Sequence, residues 1–356
     1  MRKIICLAVF LLLSVSVSAE NYLINGGQKS KINYQLLQTL EPAAGIKVLK
    51  MNLVVPQSFS SPTYNQKIED MQIDIDIQPD KRKESEDKRG NTIIELQWKK
   101  PASVIHITMN MAVTTFTKLE AIQSQAPFPL IIKERDLKEY LACTDLVQCD
   151  NQEITLKAES ITGKAETEFD AVQQILTWII DNMRYVTPPE QYDALYSFNS
   201  GKGNCQNYSH LAAALMRAVG IPVRIVNGIT LKKPFTVNMD SGDFTFKMGQ
   251  GRHSWIEVYF PDLGWVPFDP QQTELFVSNR FIRIEVGLDN QETVNDGLIR
   301  WVRSRGGGAS PRFQEVIEAD FVRDNIQLAC TKQDYGPQKM LLSPEVRATF
   351  QEISIP

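Results

Sequence analysis

The spacing of apolar residues changes once along this chain, from every second residue to every third or fourth, and that switch limits the folds open to it. Residues from about Ile46 to Val113 read as strands. Met71, Ile73, Ile75 and Ile77 alternate with polar residues and would share a core-facing side, with Asp74 and Asp76 turned to water. Those aspartates read as a solvated strand face and not as a calcium loop, which needs turn-forming residues between its ligands. Lys81 to Asn91 is highly charged and ends in Arg-Gly-Asn, as suits a hairpin loop. Asn91 to Trp98 and Ser103 to Met111 alternate again; the second puts Ile105, Ile107, Met109 and Met111 on one face and His106 on the other. Several short alternating strands separated by turns predict an antiparallel β-sandwich.

Around Leu130 to Asn151 the pattern is irregular, with Pro127, Pro129, Cys143 and Cys149 close by, and a domain boundary falls there. From Lys164 the period is helical: Phe169, Val172, Ile175, Leu176, Ile179, Ile180 and Met183 line one face. A second helix begins at or just before Cys205, where Gly201, Gly203 and Asn204 supply the turn and the cap. Leu211, Ala212, Leu215, Met216 and Val219 form its stripe, and Gly220 and Pro222 end it. Ile221 to Ile229 and His253 to Phe260 read as strands, Pro261 to Gly264 as a turn, and Trp265 to Phe268 as a further strand. Leu231 to Gly251 is a long glycine-containing insertion directly before His253, and a lid over a site there is one expectation for it. The division is then 1–19 leader, 20–150 N-terminal β-sandwich domain, 151–275 catalytic core and 276–356 small β-rich C-terminal extension, an α+β chain. No internal repeat or long low-complexity tract interrupts it.

The first residues carry the compartment signal. Arg2 and Lys3 precede an apolar run from Ile4 to Leu13, followed by small residues ending Val17-Ser18-Ala19, which reads as a cleaved secretory signal. The expected localisation is secreted or periplasmic, with an uncleaved anchor as the minor alternative and no membrane span after cleavage. Loss of Arg2 and Lys3 leaves 36 basic against 42 acidic residues, a net charge of −6, which gives no support for a nucleic-acid partner. Four cysteines remain: Cys143, Cys149, Cys205 and Cys330. In an exported protein they allow two disulfides. Cys143 and Cys149 are near enough to close a small loop, leaving Cys205 and Cys330 free or joined to each other.

Cys205, His253 and Asp269 are the candidate catalytic residues. A cysteine nucleophile needs a lowered pKa, a nearby base and a group to orient that base. Cys205 sits at a predicted helix N-terminus, where the free N–H groups and the dipole favour a thiolate and an oxyanion. His253 opens one strand and Asp269 ends the next, so an antiparallel hairpin returns the carboxylate toward the imidazole. Singly, each residue has a plainer reading: a small buried thiol, a structural histidine, a capping aspartate. His210, five residues beyond Cys205, points well away from it on a helix. Three histidines without a close Cys/His pairing give no zinc site, and no phosphate-binding glycine fingerprint is present, so neither metal nor cofactor is expected.

Two long segments occur in order. The first runs Gly201-Lys-Gly-Asn-Cys205-Gln-Asn-Tyr-Ser-His210 through Gly220-Ile-Pro-Val-Arg to Gly228, and the second runs Arg252-His-Ser-Trp-Ile-Glu-Val-Tyr-Phe-Pro-Asp-Leu-Gly-Trp-Val-Pro-Phe-Asp-Pro270. Together they resemble the nucleophile and histidine–aspartate segments of the transglutaminase-like superfamily, over roughly Phe169 to Gln272. The resemblance implies a papain-like transglutaminase core with Cys205 as nucleophile, His253 as base and acid, and Asp269 as orienter. It implies acyl transfer from an amide through a thioester to water or an amine, on a protein or peptide substrate and with no metal. Tyr185 lies where the family often has an aromatic residue upstream of the nucleophile and is the oxyanion candidate, with Tyr192 and Tyr196 as alternatives. Hydrolysis of a peptide or amide bond is the leading expectation. Crosslinking or deamidation by the same triad, and a binding module with a vestigial triad, are the alternatives.

Overall fold

The computed structural model of the protein describes residues 21–119, 124–239, 242–246, 249–271, 277–304 and 308–333. The expected leader at 1–19, with Cys6, lies outside the described residues, as does the side chain of Cys330.

The chain opens with strands β1 (Asn21–Glu41), β2 (Ile46–Val55), β3 (Phe59–Ser60), β4 (Tyr64–Ile75), β5 (Lys81–Glu86), β6 (Thr92–Lys99) and β7 (Ile105–Leu119). The alternation seen in the sequence is their burial pattern: Ile105, Ile107, Met109 and Met111 are buried, whereas Asp74, Asp76 and His106 are exposed. The core region follows with α1 (Arg135–Lys138), α2 (Gln152–Thr162), α3 (Glu168–Asn182), β8 (Arg184–Tyr185), α4 (Ala194–Ser200), β9 (Lys202–Gly203) and α5 (Cys205–Ala218). It continues through β10 (Val223–Thr230), β11 (Phe235–Met239), β12 (Gly242–Phe246), β13 (Gly251–Phe260), β14 (Gly264–Phe268) and β15 (Phe281–Gly287). Two strands close the described chain, β16 (Ile299–Arg303) and β17 (Arg312–Gln333).

Among the described residues these strands build two sandwich sheets, ordered β17-β1-β7-β4-β3 and β16-β2-β6-β5, and a core sheet ordered β14-β13-β10-β15. The strands after residue 276 are therefore not grouped with one another. β15 is an edge of the core sheet, and β16 and β17 are edges of the two sandwich sheets, antiparallel to β2 and β1. The pairing of β1 with β17 over its whole length joins the two ends of the described chain, a non-local contact that strand patterning cannot assign.

Helix α5 is the centre of the core. Its residues Asn207 to Arg217 are all buried, not only the stripe read from the sequence, because α2, α3 and α4 cover the faces that the sheet leaves open. Phe169, Val172, Ile175 and Ile179 of α3 meet Leu211, Leu215 and Ile256 there. Thr167 and Asp170 form a capping box at the start of α3, and Gly220, with φ of +84°, turns the chain out of α5 as a glycine can at no steric cost. Ile229, Leu231, Ile282 and Ile284 of the core sheet region pack with Ile32, Leu36, Met109 and Val113 of the sandwich, so one hydrophobic cluster spans both parts. The insertion expected as a lid forms the β11–β12 hairpin, and that hairpin leans on β17. Cys143 and Cys149 form a disulfide that closes the small loop before α2.

Candidate active site

Cys205 is the first residue of α5. Asn204 caps the helix by accepting the Gln206 N–H at 3.1 Å, and Asn207 returns the favour by accepting the Asn204 N–H at 3.2 Å. The Cys205 N–H, in the first turn, has no acceptor within the helix and is left for a ligand. Asn207 also donates to the carbonyl of Gln191 at 3.0 Å and to Ser197 Oγ at 2.8 Å, which ties the start of α5 to the preceding loop and α4. Gly203 is required beside it: a Cβ there would overlap the Asn207 side chain. Cys205 is a free, half-buried thiol.

His253 lies in β13, paired across β10 with Gly228. A side chain at Gly228 would overlap the Trp255 ring, which packs 6.0 Å from the His253 ring with Phe281 edge-on to both. On its other side β13 pairs with β14, Ile256 opposite Phe268. Just beyond that last pair the chain reaches Asp269 and Gln271, whose side chains meet the His253 ring. His253 Nε2 donates to Asp269 Oδ2 at 2.8 Å, and the Asp269 side chain is fully buried. Nδ1 is the ring nitrogen that remains for Cys205, which lies near enough to help raise the His253 pKa. Burial would lower the His253 pKa; the Asp269 charge and hydrogen bond, with Cys205, outweigh it and raise the value to about 10. The imidazole is thereby held as imidazolium beside the thiol.

Tyr185 reaches the same place through a two-rung parallel ladder, β8 on β9, that sets it opposite Gly203. The Val186 N–H donates to the Gly203 carbonyl at 2.9 Å. Burial, the charge of Cys205 and that of Asp269 all raise the Tyr185 pKa, so its half-exposed phenol keeps its proton and remains a donor. The backbones of Tyr192 and Tyr196 are tied locally: the Tyr192 carbonyl accepts from His210 Nδ1 at 2.6 Å, and the Tyr196 N–H is held by Asp193. His210 is buried, its Nε2 accepts the Asn290 N–H at 3.2 Å, and burial lowers its pKa to about 4. It is a neutral strut between two loops and not a base.

Two residues of this neighbourhood escaped the sequence reading. Gln271 Nε2 donates to both oxygens of Asp269, at 3.0 and 3.2 Å. Tyr208, one turn beyond Cys205, is buried near Tyr185 and Asp269. The available signal for Gln271 was its place two residues after Asp269, on the same face of an extended chain. Among the described residues no group of three or more His, Cys, Asp or Glu side chains is arranged to hold a metal ion.

Residues 156–270 match the model of the Transglutaminase-like superfamily, and the fold of that stretch is a transglutaminase-like core. Uncharacterized protein YebA of Bacillus subtilis is 31% identical over 121 residues, covering 32% of this chain and 16% of that protein. Protein-glutamine gamma-glutamyltransferase of Pseudomonas aeruginosa is 31% identical over 116 residues, covering 31% of this chain and 16% of that protein. The chain thus spans only a small part of the length of these two relatives. A solved structure from Cytophaga hutchinsonii, named "Putative Cysteine Protease", superposes with a TM-score of 0.61 at 19% identity, over 88% of this chain and 100% of that one. At that identity the likeness concerns the fold alone.

Proposed function

We propose that this protein is an exported cysteine hydrolase that cleaves peptide or amide bonds of a protein or peptide substrate by acyl transfer through Cys205, His253 and Asp269. The observation that carries the reading is the His253 imidazole held by Asp269 at 2.8 Å on Nε2, with the free thiol of Cys205 at the start of a buried helix close enough to act on its charge. The thiolate of Cys205 attacks the carbonyl carbon, forming the C–S bond. The oxyanion is received by the Cys205 N–H and the Tyr185 phenol. His253 passes its proton to the departing nitrogen as the C–N bond breaks, which leaves a thioester. Water then gives a proton to His253 and attacks the thioester, releasing the carboxylate and restoring the thiol. Asp269 keeps the ring oriented and stabilises its charged form throughout. The Cys143–Cys149 disulfide supports export, since such bonds persist in oxidising compartments.

A second reading is favoured by the Pseudomonas relative, whose name specifies transfer of the γ-glutamyl group of protein glutamine. There a primary amine replaces water in the last step. Incubating the full chain with a glutamine-containing peptide, with and without a primary amine, separates the two. Hydrolysis gives the carboxylate product whether or not amine is present. Amine incorporation in excess of hydrolysis refutes the preference for water, and no acyl-enzyme at Cys205 with any amide tested refutes the enzyme reading.

A further inference from the structure

We propose that Gln271 is a positioning residue of this site: its carboxamide clamps both oxygens of Asp269 and so holds that carboxylate in line with the His253 ring. The inference rests on the acyl-transfer reading above and adds a residue to it.

Asp269 has no exposure to solvent, so its oxygens depend on donors from the protein. Among the described residues two side chains supply them. His253 Nε2 approaches Oδ2 at 2.8 Å, and Gln271 Nε2 straddles the group at 3.0 Å from Oδ1 and 3.2 Å from Oδ2. The Gln271 nitrogen is also 3.1 Å from His253 Nε2. Because that ring nitrogen directs its own proton to Asp269, it has no lone pair for the amide. The amide hydrogens therefore belong to the carboxylate. Tyr208 lies on the same charge, yet its buried hydroxyl makes no hydrogen bond, so it does not share the task.

The chemistry of the clamp suits its place. A lysine or arginine there would neutralise the negative charge that stabilises imidazolium. A neutral amide fixes the carboxylate's plane and leaves its charge to His253. Gln271 lies three residues beyond the end of β14, where its side chain meets both His253 and Asp269.

The test uses the full chain and its Gln271→Met, Gln271→Glu and His253→Ala variants. Alkylation of Cys205 by iodoacetamide is followed across pH by mass mapping of the Cys205 peptide, with thermal midpoints measured alongside. The Gln271→Met change is expected to slow Cys205 alkylation at neutral pH roughly tenfold, the effect of losing hydrogen bonds to a charged group. Gln271→Glu has the shape of the native residue but, ionised, only accepts. It is expected to slow the reaction further, and its deficit relative to Gln271→Met should shrink as falling pH protonates the new carboxyl into a donor. That reversal occurs within one folded protein, so lost stability cannot imitate it. Rates of both variants equal to the native rate at every pH, with His253→Ala still slow, overturn the clamp and leave the acyl-transfer reading standing. A native Cys205 that reacts like an ordinary thiol and is indifferent to His253→Ala overturns both.

Discussion

Replacing Asp269 with Asn tests the electrostatic centre of the site. The substitution preserves shape but removes the charge facing His253 Nε2. The step in the His253 pKa from 6.5 to about 10 corresponds to on the order of 5 kcal/mol favouring imidazolium, at 1.36 kcal/mol per pH unit. Asp269, through its charge and its hydrogen bond, and Cys205 together outweigh the opposing effect of burial, and the variant retains both the burial and the Cys205 contribution. A loss of roughly 3–4 kcal/mol, or a hundred- to thousandfold fall in thiolate–imidazolium pairing, is the expected result. Iodoacetate is a suitable probe because its own negative charge is attracted by imidazolium. In the native protein its reaction with Cys205 should hold up through neutral pH and fall only as pH rises through about 10, where the imidazolium loses its proton. In Asp269→Asn the whole rate should drop and the fall should move down toward the ordinary histidine value of 6.5. A pH profile superimposable on that of the native protein would refute the pairing as the source of reactivity.

Three further outcomes follow from the geometry. Tyr185→Phe should lower kcat about a hundredfold with KM little changed, since it removes a donor needed only by the oxyanion; a KM effect alone would assign Tyr185 to substrate binding. Glu257→Ala should cost about 3–5 kcal/mol in chemical denaturation, because it leaves Arg224 and Arg283 buried and unpaired. Burial would raise the Glu257 pKa, but the two guanidiniums hold it below its ordinary value, so its stabilisation is present above that value and is lost as pH falls through the depressed one. Gly203→Ala should slow Cys205 alkylation while the β-sandwich stays folded, because the new methyl displaces Asn207 from the cap of α5; native-like kinetics would show that the cap does not set the thiol's position.

How much of this was legible in the sequence depends on the range of the interaction involved. Strand alternation at 71–77 and 105–111, the helix at 169–183 and the cap before Cys205 are local, set by backbone period and by donors within three residues, and the sequence determined them. So was the hairpin that returns Asp269 toward His253, since a tight turn at Pro261 to Gly264 leaves few alternatives. The register was not local. Which residue of the returning strand meets the ring depends on side chains packed on both faces of the sheet, and only the folded chain brought Gln271 against Asp269. The same holds for Tyr185, whose approach to Cys205 needs the two-rung β8–β9 ladder, too short to leave a pattern. The destination of the last strands was the least legible of all. β16 and β17 fill sheet edges set some 250 or more residues earlier in the chain, at β2 and β1. The choice of edge belongs to loop closure and to the apolar faces left open when the rest has folded.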